Sequence, residues 1–254
     1  MTIADLAVLV PSRGRPENLA RLITEVHRTA KGRTHVLAGV DQDDPRLKEY
    51  IKLRKTLLAP GDEIHTSDRT FHYDDGKGMA RMNLVQWTNH LAHLSAGRYR
   101  YYASLGDDMV PRTPGWDMKL MGAIEEDFGG TGIAYPWDGI RDDIPEAWLI
   151  SADLAGALGW AMQPSLKHFY NDNVWADIGH GAGCIRQLRG VVVDHVNVGT
   201  GRAVVDQTAL DNGTKIAGDK EAYEAWCRSG RAADIQKVKD MRAWMASTQL
   251  AGRM

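Results

Sequence analysis

The sequence has 254 residues, of which 43% are hydrophobic and 25% are charged, and its formal net charge is −2. This length and composition are typical of one large α/β domain, or of one domain with a small appendage. The nearly neutral charge excludes a global basic field that would attract nucleic acid, although it leaves room for a local basic groove.

The cysteines and the apolar runs exclude further classes of protein. The two cysteines, Cys184 and Cys227, are too few for a disulfide framework and are not spaced as metal ligands. The longest apolar runs have the length of strands rather than of membrane spans, and the first residues carry no signal-peptide pattern. We therefore expect a cytoplasmic protein in a reducing compartment, without a membrane segment.

The first half of the chain alternates strands with helices. Short apolar runs predict strands at 6–10, 35–40, 63–67 and 99–105. Apolar residues at helical spacing predict helices at 19–32, 47–59 and 79–94, with a polar, turn-rich loop at 68–78. This order predicts parallel strands joined by right-handed crossovers.

The alternation continues through a predicted helix at 116–128 and a predicted strand at 133–137, and it fades after about residue 140. The remaining predicted elements are a helix at 152–160, a mixed aromatic-rich stretch at 165–183, a strand at 190–196, and amphipathic helices at 221–226 and 232–246.

Two adjacent carboxylates, Asp107 and Asp108, follow the strand at 99–105 directly after Gly106. In an open α/β sheet, the carboxyl ends of the strands are where ligands bind. Hard oxygen ligands suit Mg²⁺ or Mn²⁺, and such a cation commonly brings a diphosphate with it. The alternative is an Asp-Asp turn that only closes the strand.

Two further candidates follow the first two strands. The stretch Pro11-Ser12-Arg13-Gly14-Arg15 opens a helix, and its backbone N–H groups and two guanidinium groups could bind a nucleotide. This stretch matches neither the Rossmann fingerprint nor the P-loop. Asp41 ends the second strand and could accept a hydrogen bond from a base or a ribose hydroxyl. The alternatives are an ordinary connection and ordinary turn chemistry.

Two candidates lie in the second half of the chain. Asp172 or Asp177 could act as general base on an acceptor hydroxyl if the surroundings raise its pKa, and His180 follows them. The alternative is that this segment is only a capped loop. His195 lies in a valine-rich strand, where it is either a core histidine or a further ligand of a cation held by a carboxylate. The sequence contains no Ser-His-Asp signature, no zinc helix and no cysteine nucleophile pattern.

Taken in order, these segments resemble the metal-dependent nucleotide-sugar glycosyltransferases of the GT-A fold, and the pattern is most similar to their family 2 group. The resemblance covers about residues 6 to 197. The segments that carry it are 8–19, 39–41, 78–83, 105–111 with 114–116, 170–172 with Asp177, and His195. It departs from the family in three places. Gly106 replaces the first carboxylate of the Asp-x-Asp motif, Asn171 stands where a glutamate is usual, and Arg81 is displaced by one position.

The resemblance implies an α/β fold with a Rossmann-like, mostly parallel central sheet flanked by helices. Residues 1–200 would form the GT-A domain, with a nucleotide-binding half at about 1–110 and an acceptor half at about 111–200, and 201–254 would form a C-terminal helical extension. Asp108 and His195 would bind Mn²⁺ or Mg²⁺, and Asp172 or Asp177 would be the base. The residues that would contact the donor are Pro11, Ser12, Arg13, Arg15, Asp41, Arg81 and Asp107.

The resemblance further implies inverting transfer of a sugar from a nucleoside-diphosphate sugar, a UDP-sugar by the presence of Asp41, to an acceptor hydroxyl. The acceptor would be a protein, a small glycoside or a hydroxymethylated DNA base, because compact phage-encoded enzymes similar to this group include some that glycosylate modified DNA. Two other functions stay open. One is a non-catalytic nucleotide- or glycan-binding relic of a transferase. The other is a sugar nucleotidyltransferase, although the chain lacks that class's glycine-rich loop.

Overall fold

The computed structural model describes residues 4–67, 81–196, 201 and 206–251. The strands in these residues are β1 (Ala4–Pro11), β2 (Thr34–Val40), β3 (Glu63–Thr66), β4 (Tyr99–Ser104), β5 (Met109–Pro111), β6 (Ile133–Trp137), β7 (Trp148–Ser151) and β8 (Ile185–His195). The helices there are α1 (Pro16–Thr29), α2 (Leu47–Thr56), α3 (Leu84–Leu94), α4 (Trp116–Phe128), α5 (Ala152–Leu158), α6 (Asn171–Ala182), α7 (Gln207–Gly213), α8 (Ile216–Ser229) and α9 (Arg231–Ala251).

Within the described residues the strands form one eight-stranded sheet in the order β3-β2-β1-β4-β7-β6-β8-β5. The four strands from β3 to β4 are parallel to one another, as are β6 and β8. Antiparallel β7 joins these two groups, and antiparallel β5 pairs with β8 at the edge. The predicted mostly parallel α/β sheet with flanking helices is confirmed.

The sheet has a hydrophobic core on each face, because successive residues of a strand point to opposite sides. In β1, Leu6, Val8 and Val10 pack with α1, α2 and α4 on one face. Ala7 and Leu9 pack with α3, α5 and α6 on the other. The same alternation explains why β1 reads as a continuous apolar run, since a central strand of a parallel sheet is buried on both faces.

Several predicted helix boundaries differ from the structure, and two of them differ for clear local reasons. The helices predicted at 19–32 and 47–59 run over Pro16–Thr29 and Leu47–Thr56. The helix predicted at 79–94 begins at Leu84, because Asn83 and Gln86 form a capping box in which each side chain accepts from the other's backbone N–H at 2.9 Å. The helix predicted at 152–160 ends at Leu158, because Gly159 adopts a left-handed φ of 80°. The predicted loop at 68–78 and residues 79 and 80 lie outside the described residues.

The second half of the sheet differs more from the prediction. Strands β5 and β7 were not predicted, since with 3 and 4 residues they are too short for an alternating pattern to stand out. Strand β8 begins at Ile185 rather than at 190, because its first residues pair in parallel with β6. Helix α6 occupies part of the stretch that was predicted as mixed.

The C-terminal helices are longer than predicted and pack on the rest of the molecule. The helices expected at 221–226 and 232–246 run from Ile216 to Ser229 and from Arg231 to Ala251. Trp226 of α8 and Val238 of α9 are buried in the same core cluster as α5 and α6. Every helix in the described part of the chain falls short of the length or apolarity that a membrane crossing requires.

Asp117 is expected to be a main stabilising residue of this fold. Its carboxylate lies in α4, is fully buried, and accepts from the backbone N–H groups of Lys31 and Gly32 and from the hydroxyl of Thr34. Alanine at this position leaves these donors buried without a partner, so we expect the free energy of unfolding to fall by about 3 kcal/mol. Urea unfolding measures it, with exposed Asp153→Ala as control, expected within about 0.5 kcal/mol of the parent. A similar loss in both variants would contradict this role.

Candidate active site

The loops that follow β1, β2 and β4 open at one edge of the sheet, because these strands are parallel and in register. Pro11 at the end of β1 pairs with Gly39 of β2, and β4 lies on the other side of β1. Ser12 and Asp107 therefore meet, and the Ser12 hydroxyl donates to Asp107 Oδ2 at 2.6 Å. This edge is where open α/β sheets bind their ligands.

The loop after β1 is predicted to offer free backbone N–H groups, and the structure shows two of them bonded within the protein. Gly14 N donates to Asp44 Oδ2 at 2.8 Å, and Arg15 N donates to the Tyr50 hydroxyl at 2.9 Å. Tyr50 of α2 also bonds the Ser12 hydroxyl at 2.8 Å. The protein thus uses these two backbone donors to hold the loop in shape.

Asp108 and His195 face each other because β5 and β8 are antiparallel, with Met109 opposite His195. His195 Nε2 lies 3.4 Å from Asp108 Oδ1, and His195 Nδ1 lies 2.8 Å from Glu146 Oε2. Glu146 belongs to the segment just before β7. The imidazole is therefore fixed between two carboxylates at the ligand-binding edge of the sheet.

Burial and charge shift the pKa values of this group in different directions. Burial acts to lower the pKa of His195, but the hydrogen bonds to Asp108 and Glu146 outweigh it and raise the pKa to about 10. Burial acts to raise the pKa of Asp108, but the bond from His195 lowers it overall. Burial and the charge of Asp108 raise the pKa of Asp107 to about 7. The site therefore favours positive charge beside Asp108.

The Asp108–His195 pair fits two adjacent ligands of one divalent cation. Two ligands at about 2.1 Å from an octahedral ion lie about 3 Å apart, near the observed 3.4 Å between Asp108 Oδ1 and His195 Nε2. A metal-bound histidine commonly gives its second N–H to a carboxylate, the place that Glu146 takes here. Groups of three or more potential metal ligands are absent among the described residues. The pair therefore suits an ion that takes its remaining ligands from phosphate and water.

Arg15 brings a second positive charge to the two aspartates. Its Nη1 lies 3.5 Å from Asp107 Oδ1 and 3.8 Å from Asp108 Oδ2. Its Nε and Nη2 donate to Asp206 at 2.5 and 2.6 Å, and Asp206 in turn caps α7 by accepting from Ala209 N at 2.8 Å. A guanidinium group held at such an edge has the planar geometry that binds phosphate.

Asp41 lies at this edge, but its carboxylate already has protein partners. Its Oδ1 accepts from Trp87 Nε1 at 2.9 Å and from Met82 N at 3.1 Å, and its Oδ2 accepts from Arg13 Nη1 at 3.0 Å. Trp87 comes this close because it packs on Gly39, where a Cβ would lie only 2.2 Å from the ring. Burial raises the pKa of Asp41, although these hydrogen bonds act to lower it. A nucleotide base that contacts Asp41 would have to share the carboxylate with these donors.

Two predicted donor-binding arginines are also paired with carboxylates of the protein. Arg13 donates to both oxygens of Asp43, at 2.6 and 3.1 Å. Arg81 is exposed and donates to Asp211 of α7 at 3.0 Å. Residues 78–80, the start of the motif around Arg81, lie outside the described residues. Arg15 is therefore the predicted arginine that the structure brings to Asp107 and Asp108.

Asp172 lies in the first turn of α6, within reach of the charge of Glu146. Its side chain is half-buried. Burial raises the pKa of Asp172 and the charge of Glu146 adds to the rise, against a 2.9 Å hydrogen bond from Asn173 N. A carboxylate that remains accessible and has a raised pKa is suited to accept a proton.

Asp177, the predicted alternative base, has partners in the C-terminal helices. Five residues along an α-helix turn a side chain by about 140° from its starting direction. Asp177 Oδ2 accepts from the Tyr223 hydroxyl at 2.9 Å and from Arg231 Nη1 at 3.2 Å, in the packing of α6 against α8 and α9. His180, further along α6, is exposed.

Four residues of the site were missed. Glu146 lies where the sequence pattern fades, and Tyr50 was identified only as part of a helix face. His168 is near Asp108 and Arg15, and burial lowers its pKa to about 4. Asp206 could have been recognised as a helix cap. Its bond to Arg15, however, spans 191 positions of the sequence and requires the fold.

Several solved structures share this fold. TarS of S. aureus in complex with UDP matches with a TM-score of 0.53 and 11% identity over 75% of this chain and 60% of that one. The mannosyltransferase PcManGT of Pyrobaculum calidifontis, in complex with GDP-Man and Mn²⁺, matches with a TM-score of 0.60 and 9% identity over 99% and 81%. The catalytic domain of Drosophila β1,4-galactosyltransferase 7, in complex with xylobiose, has a TM-score of 0.53 and 13% identity over 81% and 76%.

These similarities establish the fold: the chain has the GT-A fold. The chain spans about 60% of the length of the TarS structure bound to UDP. No protein-family model matches the sequence, and no curated protein sequence matches it.

Proposed function

We propose that this protein is a metal-dependent glycosyltransferase that moves a sugar from a UDP-sugar to an acceptor hydroxyl with inversion. The observation that carries the proposal is the grouping of three functions at one edge of a GT-A sheet. Asp108 and His195 fit a cation, Arg15 suits a diphosphate, and Asp172 is an accessible carboxylate with a raised pKa. The UDP and the GDP-Man with Mn²⁺ bound to the similar TarS and PcManGT structures support a nucleotide-sugar donor.

The donor would bind with its diphosphate beside Arg15 and Asp108. A divalent cation held by Asp108 and His195 would neutralise the charge of the leaving diphosphate. The guanidinium group of Arg15 would donate two parallel hydrogen bonds to phosphate oxygens. These would replace its present bonds to Asp206, because the diphosphate is the stronger anion. Asp107, which the Ser12 hydroxyl holds in place, would face the ribose side of the nucleotide.

Asp172 would act on the acceptor. Its carboxylate takes the proton of the acceptor hydroxyl while the hydroxyl oxygen attacks the anomeric carbon of the sugar. The new carbon–oxygen bond forms on the face opposite to the bond that breaks, and the electron pair of the broken bond leaves with UDP. This geometry inverts the anomeric centre. The raised pKa of Asp172 makes it a stronger base than an exposed aspartate.

Glu146→Ala tests the support of the metal site. Without Glu146 the Nδ1 of His195 loses the partner that fixes the ring, so we expect the affinity for Mn²⁺ in the presence of UDP to fall by about tenfold or more. Calorimetric titration of Mn²⁺ into UDP-saturated protein measures this affinity. The control is Glu63→Ala, because Glu63 forms a comparable pair with His65, at 2.7 Å, on the edge strand β3. Equal Mn²⁺ affinity in parent and Glu146→Ala would contradict the pairing.

The function itself is tested first by thermal unfolding with UDP, GDP, ADP or CMP, each with Mn²⁺ and each with EDTA. A ligand at a hundred times its dissociation constant adds about 2.7 kcal/mol to the free energy of unfolding, which gives a clear shift. Of these combinations, we expect only UDP together with Mn²⁺ to stabilise the protein. We also expect the protein to release UDP when UDP-sugars are supplied. Binding without release or transfer across many acceptors would favour a non-catalytic binder. Pyrophosphate among the products would instead indicate a nucleotidyltransferase.

A further inference from the structure

Asp219, in the first turn of α8, binds a loop of the acceptor half from within the C-terminal segment. Its side chain is buried, with 1% of its surface exposed. Its two carboxylate oxygens accept from three successive backbone N–H groups, those of Lys167, His168 and Phe169, at 2.9, 2.9 and 2.8 Å. One buried charge thus fixes the direction of three consecutive peptide units.

The three bound residues lead directly into the start of α6. The next residue, Tyr170, has a left-handed φ of 68°, the one such non-glycine residue among those described. A tyrosine adopts this strained conformation only where its surroundings impose it. Tyr170 is the cap residue of α6, and Asp172 lies two positions further on. The direction of the Asp172 side chain therefore depends on how the loop before Tyr170 is held.

A second residue of α8 supports the same place. Tyr223 is one helical turn after Asp219, and its ring stacks on the ring of Tyr170 with centroids 5.2 Å apart and planes at 16°. Its hydroxyl donates to Asp177 at 2.9 Å. One face of α8 therefore contacts both the loop before α6 and the body of α6.

We propose that Asp219 is a positioning residue for the general base, acting through the loop 167–169 and Tyr170 to set the place of Asp172. This inference rests on the proposed function, since it gives Asp219 a part in the deprotonation step. The C-terminal segment then belongs to the catalytic unit. A displacement of a reacting group by about 1 Å can cost a factor of about a hundred in rate, so a small shift of the loop is sufficient for a large kinetic effect.

The test compares Asp219→Asn with Asp234→Asn. Asp234 is another buried carboxylate of the C-terminal helices, but it accepts hydrogen bonds from Trp226 and Lys237 instead of from the loop. UDP release from UDP-glucose, UDP-N-acetylglucosamine and GDP-mannose (as GDP) is measured with Mn²⁺ and water as acceptor. For Asp219→Asn we expect kcat to fall by about tenfold or more, with donor KM within about twofold of the parent. Hydrogen exchange of the amides at 167–169 should accelerate in the same variant. Asp234→Asn should match the parent in all three readouts.

The outcomes separate this inference from the proposed function. A parent protein that releases no nucleotide from any donor removes the proposed function, and the role of Asp219 with it. An active parent beside an Asp219→Asn variant with normal kcat overturns the role of Asp219 alone. An equal rise of KM and fall of kcat in both variants would indicate general structural damage and also overturn it. If Asp219→Asn does not fold, Asp219→Glu keeps the charge and shifts it by one methylene, and the same fall in kcat at unchanged KM is expected.

Discussion

Asp108→Ala is expected to reduce Mn²⁺-dependent release of UDP from a UDP-sugar by about a thousandfold. Asp108 is the carboxylate that faces both His195 Nε2, at 3.4 Å, and Arg15 Nη1, at 3.8 Å. Its removal takes away the negative ligand of the proposed cation. Initial rates of UDP release over a series of MnCl₂ concentrations measure the effect, and added Mn²⁺ should not restore the parent rate.

The matched control for this experiment is Asp194→Ala. Asp194 precedes His195 in β8, but its carboxylate accepts from Arg112 Nε at 2.9 Å instead of facing Asp108. We expect its kcat and its dependence on Mn²⁺ to stay within about twofold of the parent, since a surface ion pair contributes little. Near-normal turnover in Asp108→Ala, in a protein that unfolds at the parent temperature, would exclude Asp108 as a metal ligand.

The part of the site that lies at the ends of adjacent parallel strands could be predicted from the sequence. Ser12, Asp41 and Asp107 each directly follow a strand or stand one turn beyond it, and parallel strands bring such positions to one edge. Local spacing is enough for this inference, because each position is fixed by the end of its own strand. The same reasoning gave the mostly parallel sheet, which the structure confirms.

The contacts that complete the site could not be predicted in this way. Glu146 reaches His195 only because β7 enters the sheet between β4 and β6, and β7 has no sequence pattern of its own. Asp206 reaches Arg15 only when the C-terminal helices fold back over the sheet. The partners of Asp177 could not be predicted for a related reason. Its distance from Asp172 along the chain is short, but the helical turn directs it to Tyr223.

Helix α7 is connected to the loop after β1 and to Arg81 by polar contacts. None of its side chains is buried, so polar contacts hold it in place. These include the bonds of Asp206 to Arg15, of Thr208 to the backbone oxygen of Arg13, and of Asp211 to Arg81. A diphosphate that binds Arg15 competes directly with Asp206, and donor binding would therefore loosen the contact between α7 and the first loop.

Asp172→Asn is expected to lower the rate of sugar transfer, and of UDP release to water, by about a thousandfold while donor binding persists. The amide has nearly the same shape as the carboxylate, and its oxygen can still accept the hydrogen bond from the backbone N–H of Asn173, so the start of α6 should be retained. An amide cannot take the proton of the acceptor hydroxyl at neutral pH. Rapid-quench measurement of UDP release, with calorimetric titration of UDP and Mn²⁺, separates the chemical step from donor binding.

The matched control is Asp177→Asn, which makes the same chemical change about one and a half turns along the same helix. Asp177 bonds Tyr223 and Arg231, so we expect a modest loss of stability, of about 1 kcal/mol, and transfer within a few-fold of the parent. If Asp177→Asn abolishes transfer at unchanged donor affinity and Asp172→Asn retains it, the assignment of the base is reversed. If both variants retain transfer, the base lies outside α6, and Glu146 becomes the first candidate because its charge acts on Asp172.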